Sequence, residues 1–142
     1  MQLSLDFSAP LAQPPICAPS VKQRQGATSY AAGLLAEEAV EQDLVEAGHR
    51  VLDRRARMSA GEIDLISQDN GTIVFTEIKQ RRTLDEAAHA LSAKQIHRIG
   101  QAALEWLSSH DLDHFDIRFD AALVDRQGRR EIRANALDFS PH

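Results

Sequence analysis

From Ser29 onward apolar residues recur at helical spacing: Leu35, Ala36, Ala39, Val40, Leu44 and Ala47 fall on one face, and Gly48 follows as a natural stop. This pattern predicts an amphipathic helix. Its other face carries Glu37, Glu38, Glu41, Asp43 and Glu46 with no base among them. Glu37 precedes Val40 and Leu44 by three and seven positions, so it borders the stripe that faces the core.

The period then changes from helix to strand. His49 to Leu52 begins a first strand, Arg54, Arg55 and Arg57 lead into Gly61, and Glu62-Ile63-Asp64-Leu65-Ile66 alternates. Gln68-Asp69-Asn70-Gly71 is a turn signal, because Asn and Gly tolerate positive backbone angles, and Thr72 to Lys79 follows it as the partner of an antiparallel hairpin. Thr83 to Ala90 reads as a helical or mobile connection. Ser92-Ala93-Lys94-Gln95 has the spacing of a capping box, and Ile96, Ile99, Ala102, Ala103, Trp106 and Leu107 give the helix after it one apolar face to about Ser109. Ile117 to Val124 and Glu131 to Leu137 supply two further strands around a turn at Arg126-Gln127-Gly128. The order predicts an α/β domain, a mixed central sheet flanked by helices, with the second helix as a crossover.

Residues 1–28 hold four of the five prolines and show neither period, which predicts a disordered proline-rich tail ahead of a domain at 29–142. One cysteine, Cys17, can form neither an internal disulfide nor a thiolate zinc site. No apolar run approaches the roughly 18 residues of a membrane span, and no secretory signal is evident, so a cytoplasmic protein without a membrane partner is expected. A net charge of -5 argues against a nonspecific nucleic-acid coat. Between Arg50 and Arg98, however, nine Lys/Arg stand against seven Asp/Glu, which concentrates base in the middle of the chain. The six histidines lack the paired spacing of zinc proteases and are expected at the surface.

Glu77 and Lys79 lie two apart on a strand, so both leave the face that Ile73 and Phe75 occupy. Burying a carboxylate and an ammonium in such a row costs several kcal/mol unless they are paired or a metal neutralises the acid. Across the hairpin Asp64 shares a row with Glu62 and Ile66, and it can approach Glu77 where the strands separate. Two adjacent carboxylates suit Mg²⁺ or Mn²⁺. In such a site the ion activates water against a phosphodiester while Lys79 orients that water or stabilises charge on phosphorus.

At this point the residues resemble a family. Gly33-Leu34-Leu35-Ala36-Glu37, Arg57, Gly61 to Ile66, Phe75 to Arg81, Ala93-Lys94-Gln95, Arg118-Phe119-Asp120 and Ala134-Asn135-Ala136 resemble the successive motifs of the YraN-like proteins over roughly residues 29–138. That family is grouped by fold with PD-(D/E)XK nucleases, which include Holliday junction resolvases. The resemblance implies a restriction-endonuclease-like fold, Mg²⁺ or Mn²⁺ as cofactor and DNA as partner. It implies a site of Glu37, Asp64, Glu77 and Lys79, with Glu37 joining Asp64 and Glu77 on the metal and Lys94 or Gln95 as a helix-borne accessory. Arg55 stands where family members commonly have Asn, Thr76 and Ile78 where Val is frequent, and the proline-rich leader is not a family feature.

Plainer readings of the same letters exist. Glu-x-Lys alone also describes an exposed cross-strand ion pair worth about 0–1 kcal/mol. Glu62 could bridge to Arg57 or Arg81, and those arginines could equally contact a phosphate backbone. Lys94 and Gln95 could face solvent, and Asp120 could form an ordinary ion pair with Arg118. The functional expectation is a DNA phosphodiesterase acting on branched or structured DNA, with a homodimer supplying two sites for two strands. The alternatives are a nucleic-acid-binding adaptor that keeps the fold without turnover, or a structural protein whose acidic first helix meets another subunit.

Overall fold

A computed structural model of the chain describes residues 21–137, with side-chain surroundings from residue 32 onward. Its elements run α1 (Val21–Glu46), β1 (Arg50–Arg57), β2 (Glu62–Asp69), β3 (Thr72–Gln80), α2 (Leu84–His89), α3 (Ala93–Ser109), β4 (Asp116–Val124) and β5 (Arg130–Arg133). The five strands form one mixed sheet in the order β1-β2-β3-β4-β5. Only β3 and β4 run parallel, and α2 and α3 make the crossover between them. The expected α/β architecture, a mixed sheet with flanking helices in a restriction-endonuclease-like arrangement, is the one observed.

Each face of the sheet buries its own apolar cluster. On one side Ile66, Ile73, Phe75, Phe119 and Leu123 pack with Ile99, Ala103, Trp106 and Leu107 of α3. On the other, Leu65, Ala122 and Val124 pack with Ala36, Val40 and Leu44 of α1. Full burial of each large side chain contributes roughly 1.5–3 kcal/mol, which anchors a helix on either face. Trp106 edges onto Phe75 at 6.0 Å, and Phe75 stacks on Phe119 at 5.3 Å. All three are core residues.

Helix ends follow their local chemistry. Gly48, at φ 101, closes α1 with a pair of reversed bonds, Gly48 N to Val45 O and His49 N to Leu44 O, which is the Schellman arrangement. Ser92 accepts from Gln95 N at 3.1 Å and caps α3. The acidic face of α1 is used inside the domain, where Glu37, Glu41 and Asp43 bind Arg55, Arg54 and Arg130. Those three acids are therefore paired with arginines of the sheet.

Several expectations need correction. Helix α1 begins at Val21 rather than near Ser29, so the boundary drawn at residue 28 falls inside it; residues 1–20, including Cys17, lie outside the described residues. Strand β1 reaches Arg57 rather than Leu52, with a register shift between Val51 and Asp53 and a positive φ of 47 at Arg55. Strand β5 is limited to Arg130–Arg133, because the chain turns at Asn135, φ 55, and then drops Leu137 into the core. His49 is not on the surface: it is 9% exposed and bonds Ser67 Oγ through Nδ1 at 2.9 Å. Ile117, near the start of β4, is 39% exposed, while Phe119, Ala121 and Leu123 on the same strand are buried. No helix among the described residues is long and apolar enough to cross a membrane.

Candidate active site

Strand β3 carries Ile73 and Phe75 into the core beneath α3, and the same face continues into Glu77 and Lys79 at the strand's end. Burial therefore reaches the acid. Glu77 is 5% exposed, and Lys79 places its Nζ 3.4 Å from Glu77 Oε2. Strands β2 and β3 pair from Asp69↔Thr72 up to Leu65↔Thr76 and then separate, while β2 stays paired to β1 as far as Glu62. Asp64 sits at this fork. It accepts the backbone N–H of Ile78 through Oδ2 at 2.8 Å, which satisfies a donor that the parting strand has left behind.

The Asp64 and Glu77 carboxyls stand close enough for each to shift the other's protonation. Burial pushes the Glu77 carboxyl up to about 8, and the adjacent Asp64 charge adds to the rise; Lys79 opposes it. Asp64 is also raised, chiefly by burial and further by the charge of Glu37, while its contact with Glu77, the bond from Ile78 N–H and the charge of Lys79 pull it down. At neutral pH the pair thus carries less than its full negative charge.

Gln95 completes the cluster from α3 by donating Nε2 to Glu77 Oε2 at 2.9 Å. A capping box would send that side chain back to Ser92 N, so only the serine half of the box forms. The glutamine is spent on the acid instead. A cleft of about 310 Å³ opens here, lined by Gly61, Glu62, Asp64, Glu77, Lys79, Gln95 and Arg98. Its volume lies at the small end of the range for ligand sites, roughly 300–1,000 Å³.

Of the expected site residues, Asp64, Glu77, Lys79 and Gln95 come together. Glu37 does not join them: Arg55 donates to it from Nε at 3.0 Å and from Nη2 at 2.7 Å, a bidentate pair. Glu37, Arg55 and Asp64 line a second cleft of about 690 Å³ on the α1 side, and Asp64 belongs to both clefts. Among the described residues no three His, Cys, Asp or Glu side chains lie close enough to share an ion. The expected three-acid set is therefore two acids and a paired neighbour. Arg57 is 88% exposed and leans toward Glu62 at 3.5 Å, which fits the ion-pair reading of Glu62. Arg81 is exposed and donates to its neighbour's carbonyl, Gln80 O, and Lys94 points to solvent; neither lines the small cleft. Asp120 forms the pair with Arg118 at 2.9 Å and also accepts Asn135 N–H, so it braces the β4 end rather than the cleft.

The sequence reading missed Arg98. It stands three positions after Gln95 on α3, so one helical turn brings both to the cleft, and its Cβ lies 3.8 Å from where a Cβ on Gly61 would sit. The i, i+3 spacing from Gln95 was the available signal.

Comparison with known proteins covers the span in which these residues lie. The family model described as "Uncharacterised protein family UPF0102" matches residues 36–124, a span that includes Glu37, Asp64, Glu77, Lys79 and Gln95. A UPF0102 protein of Cereibacter sphaeroides is 45% identical over 113 residues, covering 79% of this chain and 97% of the relative. One from Ruegeria pomeroyi is 42% identical over 114 residues, 80% of this chain and 93% of the relative. Another, from Azorhizobium caulinodans, is 41% identical over 126 residues, 88% and 95% of the two chains. The chain belongs to the UPF0102 family, the YraN family whose motifs its sequence resembles.

Proposed function

We propose that this protein hydrolyses phosphodiester bonds in DNA with Mg²⁺ or Mn²⁺ held by Asp64 and Glu77. The observation that carries the reading is the pair itself: the buried Glu77 carboxyl beside the half-buried Asp64, with burial pushing Glu77 up to about 8. Such a pair is costly to a fold unless it serves a cation, and hard oxygen donors match these two metals. When bound, the ion would polarise the scissile phosphate and lower the pKa of a water.

The remaining steps belong to the chain. Asp64 and Glu77 would hold the ion as carboxylates, so Glu77 would release its proton to solvent on binding it. Gln95 and Lys79 both address Oε2 of Glu77, which fixes the carboxylate's orientation toward the cleft. Lys79 also brings a positive charge to the region where negative charge gathers on phosphorus. Arg98, with Arg57, Arg81 and Lys94 farther out, supplies cations for the flanking backbone phosphates of the strand. A cytoplasmic setting accords with DNA as the substrate, and two copies would allow paired cuts in a junction.

Incubating the purified protein with linear, supercoiled and four-way-junction DNA plus Mg²⁺ or Mn²⁺ tests this. Cleavage that needs the metal and falls by about 100-fold or more in Glu77→Ala is expected. Cleavage that survives in the variant, or none on any substrate, contradicts the proposal. A second reading, a DNA-binding protein without turnover, draws on one observation, the capture of Glu37 by Arg55. It predicts DNA retention with no cuts.

A further inference from the structure

Glu37 and Asp64 line the same cleft on the α1 side, yet the Glu37 carboxylate faces Arg55. The arginine is held there by unusual backbone. Its φ of 47 lies in the left-handed region that Asn and Gly adopt readily and Arg rarely does. The β1–β2 register, Arg54↔Leu65 and Ala56↔Ile63, sets it across from Asp64. A guanidinium thus stands at the border between the third acid and the Asp64–Glu77 pair, in a cleft that Glu37, Arg55 and Asp64 line together.

We propose that Arg55 is a built-in cation that withholds Glu37 from the metal centre, so that the resting site takes one divalent ion on two carboxylates. The proposal rests on the metal reading above and adds a condition to it. A phosphate presents oxygens that fit the guanidinium fork as well as a carboxylate does. A backbone phosphate of DNA entering the α1-side cleft can therefore take Arg55 and release Glu37 toward Asp64. Substrate then assembles the third ligand, which makes the complete site conditional on DNA.

Calorimetric titration with Mn²⁺ alone, without DNA, tests this. Asp64→Asn should abolish binding, and Glu37→Gln should leave the wild-type affinity within about twofold. Arg55→Asn and Arg55→Gly, both suited to a positive φ, should each raise affinity by about tenfold or add a second ion. The gain should vanish when Glu37→Gln is added to either. Wild-type affinity that drops tenfold in Glu37→Gln would mean that Glu37 is already a ligand and would overturn the proposal. So would two Arg55 variants that bind as the wild type does. Absence of Mn²⁺ binding in wild type and variants alike would remove the metal reading itself, and this inference with it.

A second inference rests on sequence outside both the described residues and the matched family span. Gln2-Leu3-Ser4-Leu5-Asp6-Phe7 places apolar side chains at three alternate positions, and Pro10, Pro14, Pro15 and Pro19 separate them from the domain. A peptide bound in extended form sends alternate side chains into one groove. We infer that Leu3, Leu5 and Phe7 seat in apolar pockets of a protein that encircles DNA, a sliding clamp, with Gln2 bonding at the rim. Tethering to such a ring would raise the domain's effective concentration on DNA without any new contact to the duplex.

Surface plasmon resonance of the full chain over an immobilised bacterial sliding clamp tests it. Binding near micromolar affinity, weakened by about tenfold or more in a Leu5→Ala/Phe7→Ala double variant, is expected. No binding, or equal binding by the double variant, would overturn it. Neither result bears on the metal site.

Discussion

Gln95 Nε2 stands 2.9 Å from Glu77 Oε2, and that one oxygen also faces Lys79 Nζ at 3.4 Å. Strand β3 supplies the lysine and the first turn of α3 supplies the amide, so two elements hold a single carboxylate oxygen. A residue that acts by orienting Glu77 should affect turnover more than folding.

Gln95→Ala should accordingly lower kcat on DNA by about 10- to 100-fold with little change in melting temperature. Lys94→Ala, one position away and solvent-facing, should leave kcat near wild type. Steady-state kinetics and a thermal melt on the same preparations check both. Equal losses in the two variants would indicate a general effect of the α3 N-terminus.

The pH dependence has a definite sign. Unfolded, Glu77 titrates near 4.5; folded, burial and then the Asp64 charge push it up to about 8. Between those values the folded protein binds more protons than the unfolded chain, so this group's contribution is fully present below about pH 4.5 and is lost as pH rises through 8. Asp64 shifts in the same direction. Without metal, the melting temperature should therefore decline from pH 5.5 to about 8.5 more steeply in wild type than in Glu77→Gln, whose amide cannot ionise. Differential scanning calorimetry across that range decides it. Parallel profiles would count against a strained acid pair.

Thr76 is fully buried on the α1 face of β3, and its hydroxyl has no hydrogen-bond partner among the described residues. An unpaired buried hydroxyl costs about 1–3 kcal/mol. Thr76→Val keeps the shape and removes the orphan group. Stability should rise by about 1–2 kcal/mol, read as a higher urea midpoint with an unchanged m-value.

Trp106 presents the opposite case. Its Nε1 donates to Asp53 Oδ2 at 2.9 Å, tying α3 to β1 just past the register shift. Trp106→Phe keeps much of the ring packing against Phe75 but leaves that carboxylate oxygen without its donor. A loss of about 2–4 kcal/mol in urea unfolding is expected from the bond and the vacated ring volume together.

The sequence disclosed the parts of the site that follow from a two-residue period. Ile73, Phe75, Glu77 and Lys79 had to share a face, Asn70-Gly71 had to turn the chain, and Asp64 had to meet Glu77 where the hairpin opens. Helical spacing likewise put Trp106 in the core. Such periods tell which face a side chain leaves, but they do not say which partner it finds. Glu37 borders the stripe as expected, yet its fate depends on Arg55, whose left-handed backbone lies within β1 with no glycine to announce it. His49 is buried because Ser67 and Asp69 meet it from β2, a cross-strand relation that no local pattern contains. Gln95 matched a capping box, and only tertiary packing turned its side chain to Glu77.

Diffraction from crystals soaked in Mn²⁺, collected to record the metal's anomalous signal, tests the central claim most directly. The account predicts one strong peak bonded to a carboxylate oxygen of Asp64 and one of Glu77, with Glu37 still on Arg55. A cleft with no peak, or manganese bound only elsewhere on the surface, would contradict it.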